Sequence, residues 1–403
     1  MQSSEARPAD HGRATHLVWL VAGLVLVGLV MRSPLGGVGP VLPGIRDELG
    51  LTSAVAGLSG TIPLVCFSLL ALLTPFLVAR FGPERTLGGA LIVLTGAILL
   101  RSAGGAALFF GGTALAAMGI AVANVVVPSV VRERFPDRVG TLSSLNVVIM
   151  NVGAAVASAI ALPLALTPLG WRGALAVWAG PALIALVGWT LAAKAVLADD
   201  HGRSRVRTPP TGLGRVARRP STWLLAIMFG AQSAGFYTLL TWLATILRSH
   251  GVAPATAGLL VGVLSALGIL GALAAGPLIQ RGHLRIAFVS LVGVYTLGLV
   301  LLGVSGPLAI TGTLLAGVAQ GACFSMVLAM ISRQADPADV PATSALVQGI
   351  GYVIAGTAPF AAGALFDTTG SWVPPVALVA TLMGVSGVLG WFVTRPADAP
   401  RAS

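Results

Sequence analysis

Along the chain, apolar residues come in long runs separated by short stretches where Arg, Asp, Glu, Gly and Pro collect. The runs fall at 17–43, 51–79, 86–103, 106–131, 141–166, 172–197, 221–247, 254–279, 285–304, 307–331, 342–366 and 372–394. Each comes close to, or exceeds, the about 20 residues a helix needs to cross a bilayer. Helical period is weak inside them because they are apolar nearly all round, and strand alternation is absent. Lipid offers the backbone no hydrogen-bond partners, so closed helices are the predicted elements.

The pattern repeats at an offset of 201 residues. Gly50, Ala54, Ala56, Gly57 and Leu58 recur as Gly251, Ala255, Ala257, Gly258 and Leu259, while Arg80, Pro136, Leu145 and Trp171 recur as Arg281, Pro337, Leu346 and Trp372. A duplicated six-span unit predicts an all-α membrane protein of twelve helices in two pseudo-symmetric bundles, an architecture that rocks around a central site. The expected divisions are an N-terminal tail 1–16, a first half 17–197, a linker 198–220, a second half 221–394 and a C-terminal tail 395–403. The linker, rich in Arg, Gly and Pro, reads as flexible.

Composition agrees: 56% of residues are hydrophobic, 9% are charged and mean hydropathy is +0.93. The net charge of +11 raises nucleic acid as a partner, but position argues otherwise. Nineteen of the 24 basic residues fall on the tails and loops of one side; Arg46, Arg101, Arg172 and Arg248 fall on the other, and Arg32 lies inside a span. That asymmetry puts both termini in the cytoplasm, with the chain multi-pass in the plasma or inner membrane. Basicity is thus read as topology, and nucleic acid is not expected as a partner. The first span is too long for a cleaved signal. Cys66 and Cys323 lie mid-span in different halves and read as packing residues, with no metal or cofactor motif in view. Trp171, Trp372, Trp19, Trp189, Trp223 and Trp391 sit near span ends, where tryptophan anchors to the interface.

Polar groups inside the spans narrow the function. All thirteen carboxylates fall in tails, loops or span ends, and none of the five histidines is mid-span, so a buried proton relay has no obvious members. Arg32 alone sits deep, about 22 Å into the first span at 1.5 Å per residue. A charge there costs about 2.5–3.5 kcal/mol on insertion scales, so it should face a water-filled cavity and an anionic or polar substrate. The alternative is an arginine held by backbone carbonyls and Asn or Gln side chains of neighbouring helices. After it, Arg32–Pro43 packs three prolines and three glycines into twelve residues, which predicts a kinked or unwound segment, lining a cavity or serving packing alone. Asn124, Gln232, Gln320 and Gln348 are candidate hydrogen-bonding groups, and Tyr237, Trp242 and Tyr352 candidate walls or gates. Gln348 and Tyr352 share a helix face at i, i+4; each such group alone is ordinarily an interhelical hydrogen bond.

Several of these residues carry a resemblance. Arg32-x-Pro-x(3)-Val-Gly-Pro40-x-x-Pro43, Gly119-x(4)-Asn124-Val-x-x-Pro128 running to Arg132-x-x-Phe135-Pro136, and Gln232-x(3)-Phe236-Tyr237-x(4)-Trp242-Leu243 form the first part. Gly317-x-x-Gln320-Gly321, Gln348-x-x-Gly351-Tyr352, Pro359, Gly363, Asp367 and Gly370-Ser-Trp372 complete it. Together they resemble the major facilitator superfamily and, within it, the cyanate permease and 2-nitroimidazole transporter family. The resemblance implies a secondary transporter of a small anion or compact nitro-heterocycle, working by rocker-switch alternating access, with a monomer as the default. Two positions depart from the pattern. Ala79 stands where the loop after the second span is expected to be acidic, and Val30 stands where an asparagine is expected before the arginine.

The reading is therefore a transporter with Arg32, Asn124, Gln232, Tyr237, Trp242, Gln320, Gln348 and Tyr352 as its substrate-binding set. Its expected partners are a small-molecule substrate and the lipid bilayer, with a coupled proton or counter-anion left open. An exporter of many drugs with a broad cavity is the alternative. No nucleophile–base pair or metal cluster points to an enzyme.

Overall fold

The computed structural model describes residues 8–199, 212–281, 284–304, 306–334 and 339–393. The expected tails lie mostly outside these residues, as do most of the linker and the loop holding Asp336 and Pro337; the side chains of Trp19 and Lys194 are not described either.

The described residues form α1 (Pro8–Gly36), α2 (Val38–Leu49), α3 (Ser53–Phe81), α4 (Pro83–Ser102), α5 (Ala106–Arg134), α6 (Val139–Ala165), α7 (Gly170–Ala176) and α8 (Ala179–Asp199). The second half adds α9 (Leu213–Ala217), α10 (Pro220–Ser249), α11 (Pro254–Gln280), α12 (Leu284–Leu302), α13 (Pro307–Gln334), α14 (Val340–Thr369) and α15 (Val373–Val393). Eleven helical segments are each long and apolar enough to cross a membrane, and α1 with α2 makes a twelfth, bent span. Turns at one end of the bundle pass through left-handed glycines, Gly50 (φ 61°), Gly251 (φ 82°) and Gly370 (φ 66°) among them, where a Cβ would be strained. This is called the Gly50 end, and the opposite one the Arg80 end.

The first span differs from its expected form. It continues to Leu49, so Arg46, Asp47 and Glu48 lie on helix rather than in a loop, and the Pro/Gly segment bends by 41° at Gly37 without unwinding. A helix end leaves its last carbonyls without intrahelical partners, and Pro40 has no N–H to offer Gly36. Other helices supply the missing donors. Arg101 Nη1 donates to Pro34 O at 2.6 Å, and Ser158 Oγ donates to Gly36 O at 2.8 Å. Arg101, read from sequence as an outer-side charge at the end of the third span, is therefore fully buried. Beyond the bend, Trp171 Nε1 donates to Glu48 at 2.5 Å, and Arg172 pairs with the same carboxylate.

Tryptophan anchoring also divides. Trp223 and Trp391 are exposed, as expected of interfacial anchors, whereas Trp171, Trp189 and Trp372 are buried. Trp189 Nε1 donates to the backbone oxygen of Glu84 at 3.0 Å, so its polar tip serves packing within the half. The linker is likewise not wholly irregular, because α9 closes it and Arg215 and Arg219 both pair with buried Asp339.

The two halves meet closely at the Gly50 end. There α3 runs against α14 with Gly57 facing the backbone of Pro359 and Phe360, and Gly363 facing that of Ser53 and Ala54. A Cβ at Gly57 would lie 2.5 Å from the Pro359 oxygen, so only glycine permits this approach. Asp367, near the end of α14, accepts the backbone N–H of Ser53 at 2.9 Å and of Ala54 at 2.7 Å. A carboxylate of the second half thus caps a helix of the first, where the positive end of the helix dipole favours it.

Candidate functional site

Toward the Arg80 end of this seal, the halves separate around a cavity of about 140 Å³. Arg32 enters it from α1, Val147 and Asn151 from α6, and Gln232, Ser233, Phe236 and Tyr237 from α10. Gly268 and Ala272 of α11, Gln320, Phe324, Ser325 and Leu328 of α13, and Tyr352 of α14 close the rest. Among the described residues, Arg32 is the one charged side chain in the lining.

Arg32 Nη1 donates to Asn151 Oδ1 at 2.9 Å, and its guanidinium lies over the Phe236 ring, 5.5 Å from the centroid. The first contact stays within one half; the second reaches across to the other. A hydrogen bond to an ion is worth about 1.5–3 kcal/mol and a cation–π contact about 0.5–2, enough to hold the side chain in place at the cavity wall. Opposite it, Gln232 Nε2 donates to Gln320 O at 3.1 Å, which fixes that amide between α10 and α13. Two of the rings in the wall are backed by others: Phe67 meets Tyr237 at 6.5 Å and Tyr352 at 5.6 Å, and Phe229 meets Tyr352 at 5.1 Å, all edge-on. Edge-to-face contacts of this kind add about 0.5–1.5 kcal/mol per pair and hold the rings rigid.

Of the eight residues expected from sequence, the cavity brings together five: Arg32, Gln232, Tyr237, Gln320 and Tyr352. Three stand elsewhere. Trp242 is fully buried, donates Nε1 to Pro359 O at 2.9 Å and packs on Trp372 at 5.0 Å, so it braces the second half near the Gly50 end. Gln348 gives its amide to Ser344 Oγ, one turn back on α14, at 2.8 Å. Asn124 is half-buried on α5 and does not line the cavity. The Pro/Gly bend does not line it either: Val38 and Gly39 stand with Leu240 and Thr241 around a separate void of about 20 Å³, and Tyr237 borders both.

Sequence reasoning misses Asn151, Ser233 and Ser325, yet the repeat marks them. The offset of 201 carries Arg32 onto Ser233, Asn151 onto Tyr352 and Asn124 onto Ser325. Applying it to each candidate finds all three.

In size, the cavity compares with the roughly 150 Å³ engineered hole that takes one benzene ring. It has room for a single small ring or a few-atom ion, with a cation at one wall, amides at another and aromatic faces between. No metal-binding group of three or more His, Cys, Asp or Glu occurs among the described residues.

Comparison with known proteins bears on this arrangement. A family model described as the Major Facilitator Superfamily matches residues 19–312 and 244–403. The 2-nitroimidazole transporter of Escherichia coli (strain K12) is 34% identical over 383 residues, 92% of this chain and 94% of that one. The cyanate transport protein CynX of the same organism is 29% identical over 357 residues, covering 87% and 90%. Among solved structures, the nucleoside transporter NupG superposes with a TM-score of 0.73 at 12% identity, covering 94% of this chain and 99% of that one, a likeness of fold.

Proposed function

The chain belongs to the major facilitator superfamily, and from that premise we propose that it carries a small anion or compact nitro-heterocycle across the plasma or inner membrane by alternating access of its two halves. The observation that carries this reading is Arg32, which lines a 140 Å³ chamber walled by aromatic rings and amides and has one donor held by Asn151 and the others without a hydrogen bond among the described residues. An anion there offsets the cost of a charge at membrane depth. A planar heterocycle fits the same space, with its ring against Phe236 or Tyr352 and a nitro group toward the guanidinium. The similarity to the 2-nitroimidazole and cyanate transporters supports both classes.

Alternating access follows from where the contacts fall. Arg32 and Asn151 belong to the first half, and Gln232, Gln320 and Tyr352 to the second. A substrate touching both sets draws the halves together at the Arg80 end, which strains the seal at the Gly50 end. With both termini cytoplasmic, as the basic asymmetry favours, the Gly50 end faces outward and the seal described closes the outer side.

Thermal stabilisation of the purified protein tests the reading, because a ligand of the folded state raises apparent stability. Cyanate or 2-nitroimidazole should stabilise the wild type, and Arg32→Gln should weaken that effect by about tenfold or more in concentration. Stabilisation of both proteins by large lipophilic cations, with none from the small ligands, overturns it in favour of a drug exporter.

A further inference from the structure

A second recess lies on the lipid-facing side of the first half, where α3 and α4 diverge over α5. Its volume is about 500 Å³. The lining is apolar, with Leu70, Leu77, Val93, Leu115 and Met118 along its length. One charge stands at its Arg80 end, Arg85, which is exposed and forms no ion pair or hydrogen bond among the described residues. The nearest carboxylate in sequence, Glu84, is buried and already paired with Arg134 at 2.7 Å.

From these features we infer that the recess is a binding site for an anionic phospholipid, with one acyl chain in the recess and the phosphate on Arg85. Dimensions match. From Phe81 to Leu70 the recess follows eleven residues of α3, about 16 Å of helix. That is close to half of an about 30 Å hydrocarbon core, the depth of one leaflet. Charge matches as well: a cation at the interfacial end of a recess with no acidic group of its own selects an anionic headgroup over a zwitterionic one. A soluble anion would find only an exposed arginine, and a neutral hydrocarbon would leave that arginine unused.

Because the recess opens to lipid rather than to the Arg32 chamber, this inference stands apart from the proposed substrate. Delipidated protein in detergent, titrated with phosphatidylglycerol, phosphatidylcholine or inorganic phosphate, gives the test by native mass spectrometry. Phosphatidylglycerol should bind about fivefold more tightly than phosphatidylcholine. Arg85→Gln should abolish that preference while leaving binding of both lipids. Gly89→Leu should abolish tight binding of both, since Gly89 lines the recess and an added Cβ there meets nothing within 4 Å, so the side chain fills space without a clash. Equal affinity of the two lipids for the wild type, competition by inorganic phosphate alone, or unchanged lipid binding by Gly89→Leu would overturn the inference.

Discussion

The Gly50 end and the Arg80 end of this bundle are held by different contacts, and among the described residues those seen at the Gly50 end join the two halves while the ion pairs at the Arg80 end do not. At the Gly50 end the halves touch backbone to backbone through Gly57 and Gly363, and Asp367 reaches across to cap α3. At the Arg80 end, the ion pairs described stay on one side: Glu84 with Arg134 in the first half, and Asp339 with Arg215 and Arg219 in the second. The acidic residue expected there is Ala79, and its repeat counterpart is Gln280. The lesson is an energetic asymmetry. A carboxylate on a helix N-terminus plus close packing stabilises closure at the Gly50 end, and among the described residues no ion pair of that kind joins the halves at the other, an asymmetry that favours the conformation shut at the Gly50 end.

Steric bulk should break the comparison most forcefully. Gly57→Leu puts atoms where the Pro359 and Phe360 backbone lies, and overpacking costs about 1–3 kcal/mol. The Gly50 end should then stay open and transport should fall by about tenfold or more. Spin labels on Leu166→Cys and Val373→Cys, in a background with Cys66 and Cys323 replaced by serine, should report a longer distance between halves. An unchanged distance would show that the seal does not depend on this glycine.

Removing the cap acts through the same seal with less force. Asp367→Ala leaves the Ser53 and Ala54 N–H groups uncapped, at a cost of about 1 kcal/mol, or about a fivefold shift in the ratio of the two states. The same label pair should show the long-distance fraction rise, and unaltered populations would argue that packing alone sets the balance. Smallest of the three, Ala79→Asp returns a charge to an exposed position at the opposite end, where about 0.2–1 kcal/mol is available. It should nudge the populations in the same direction, and the shift should shrink at high salt.

Much of the fold was legible because lipid makes it so. Continuous apolar runs leave the backbone few options, and the spans seen lie within a few residues of those read from hydropathy, the first excepted. Its extension to Leu49 was hidden because Arg46, Asp47 and Glu48 look like a loop. They are helical because Trp171 and Arg172 hold Glu48, a contact between residues more than a hundred positions apart. Within the site, Arg32 was legible from depth alone. Trp242 and Gln348 fall outside the cavity lining, and the sequence hides this for one reason: a polar group in a span shows that it needs a partner, not whether that partner is substrate or protein. Trp242 found a carbonyl and Gln348 a serine. The repeat also has limits. The offset carries Asp367 onto Leu166 and Ser53 onto Pro254, so the cross-half cap has no twin. A helix beginning with proline has one fewer N–H to satisfy, and the pseudo-symmetry fails where the seal is made.

Arg101 has a consequence for biogenesis. The carbonyl it satisfies at Pro34 precedes it by 67 positions, so a nascent chain delivers the bend two spans before its partner. Until α4 arrives, a sharply bent first span would expose an unpaired carbonyl to hydrocarbon, at a cost of about 1–3 kcal/mol. The bend is therefore expected to be a product of assembly, with the first span entering the bilayer straighter and folding over at Gly37 once the third is in place beside it.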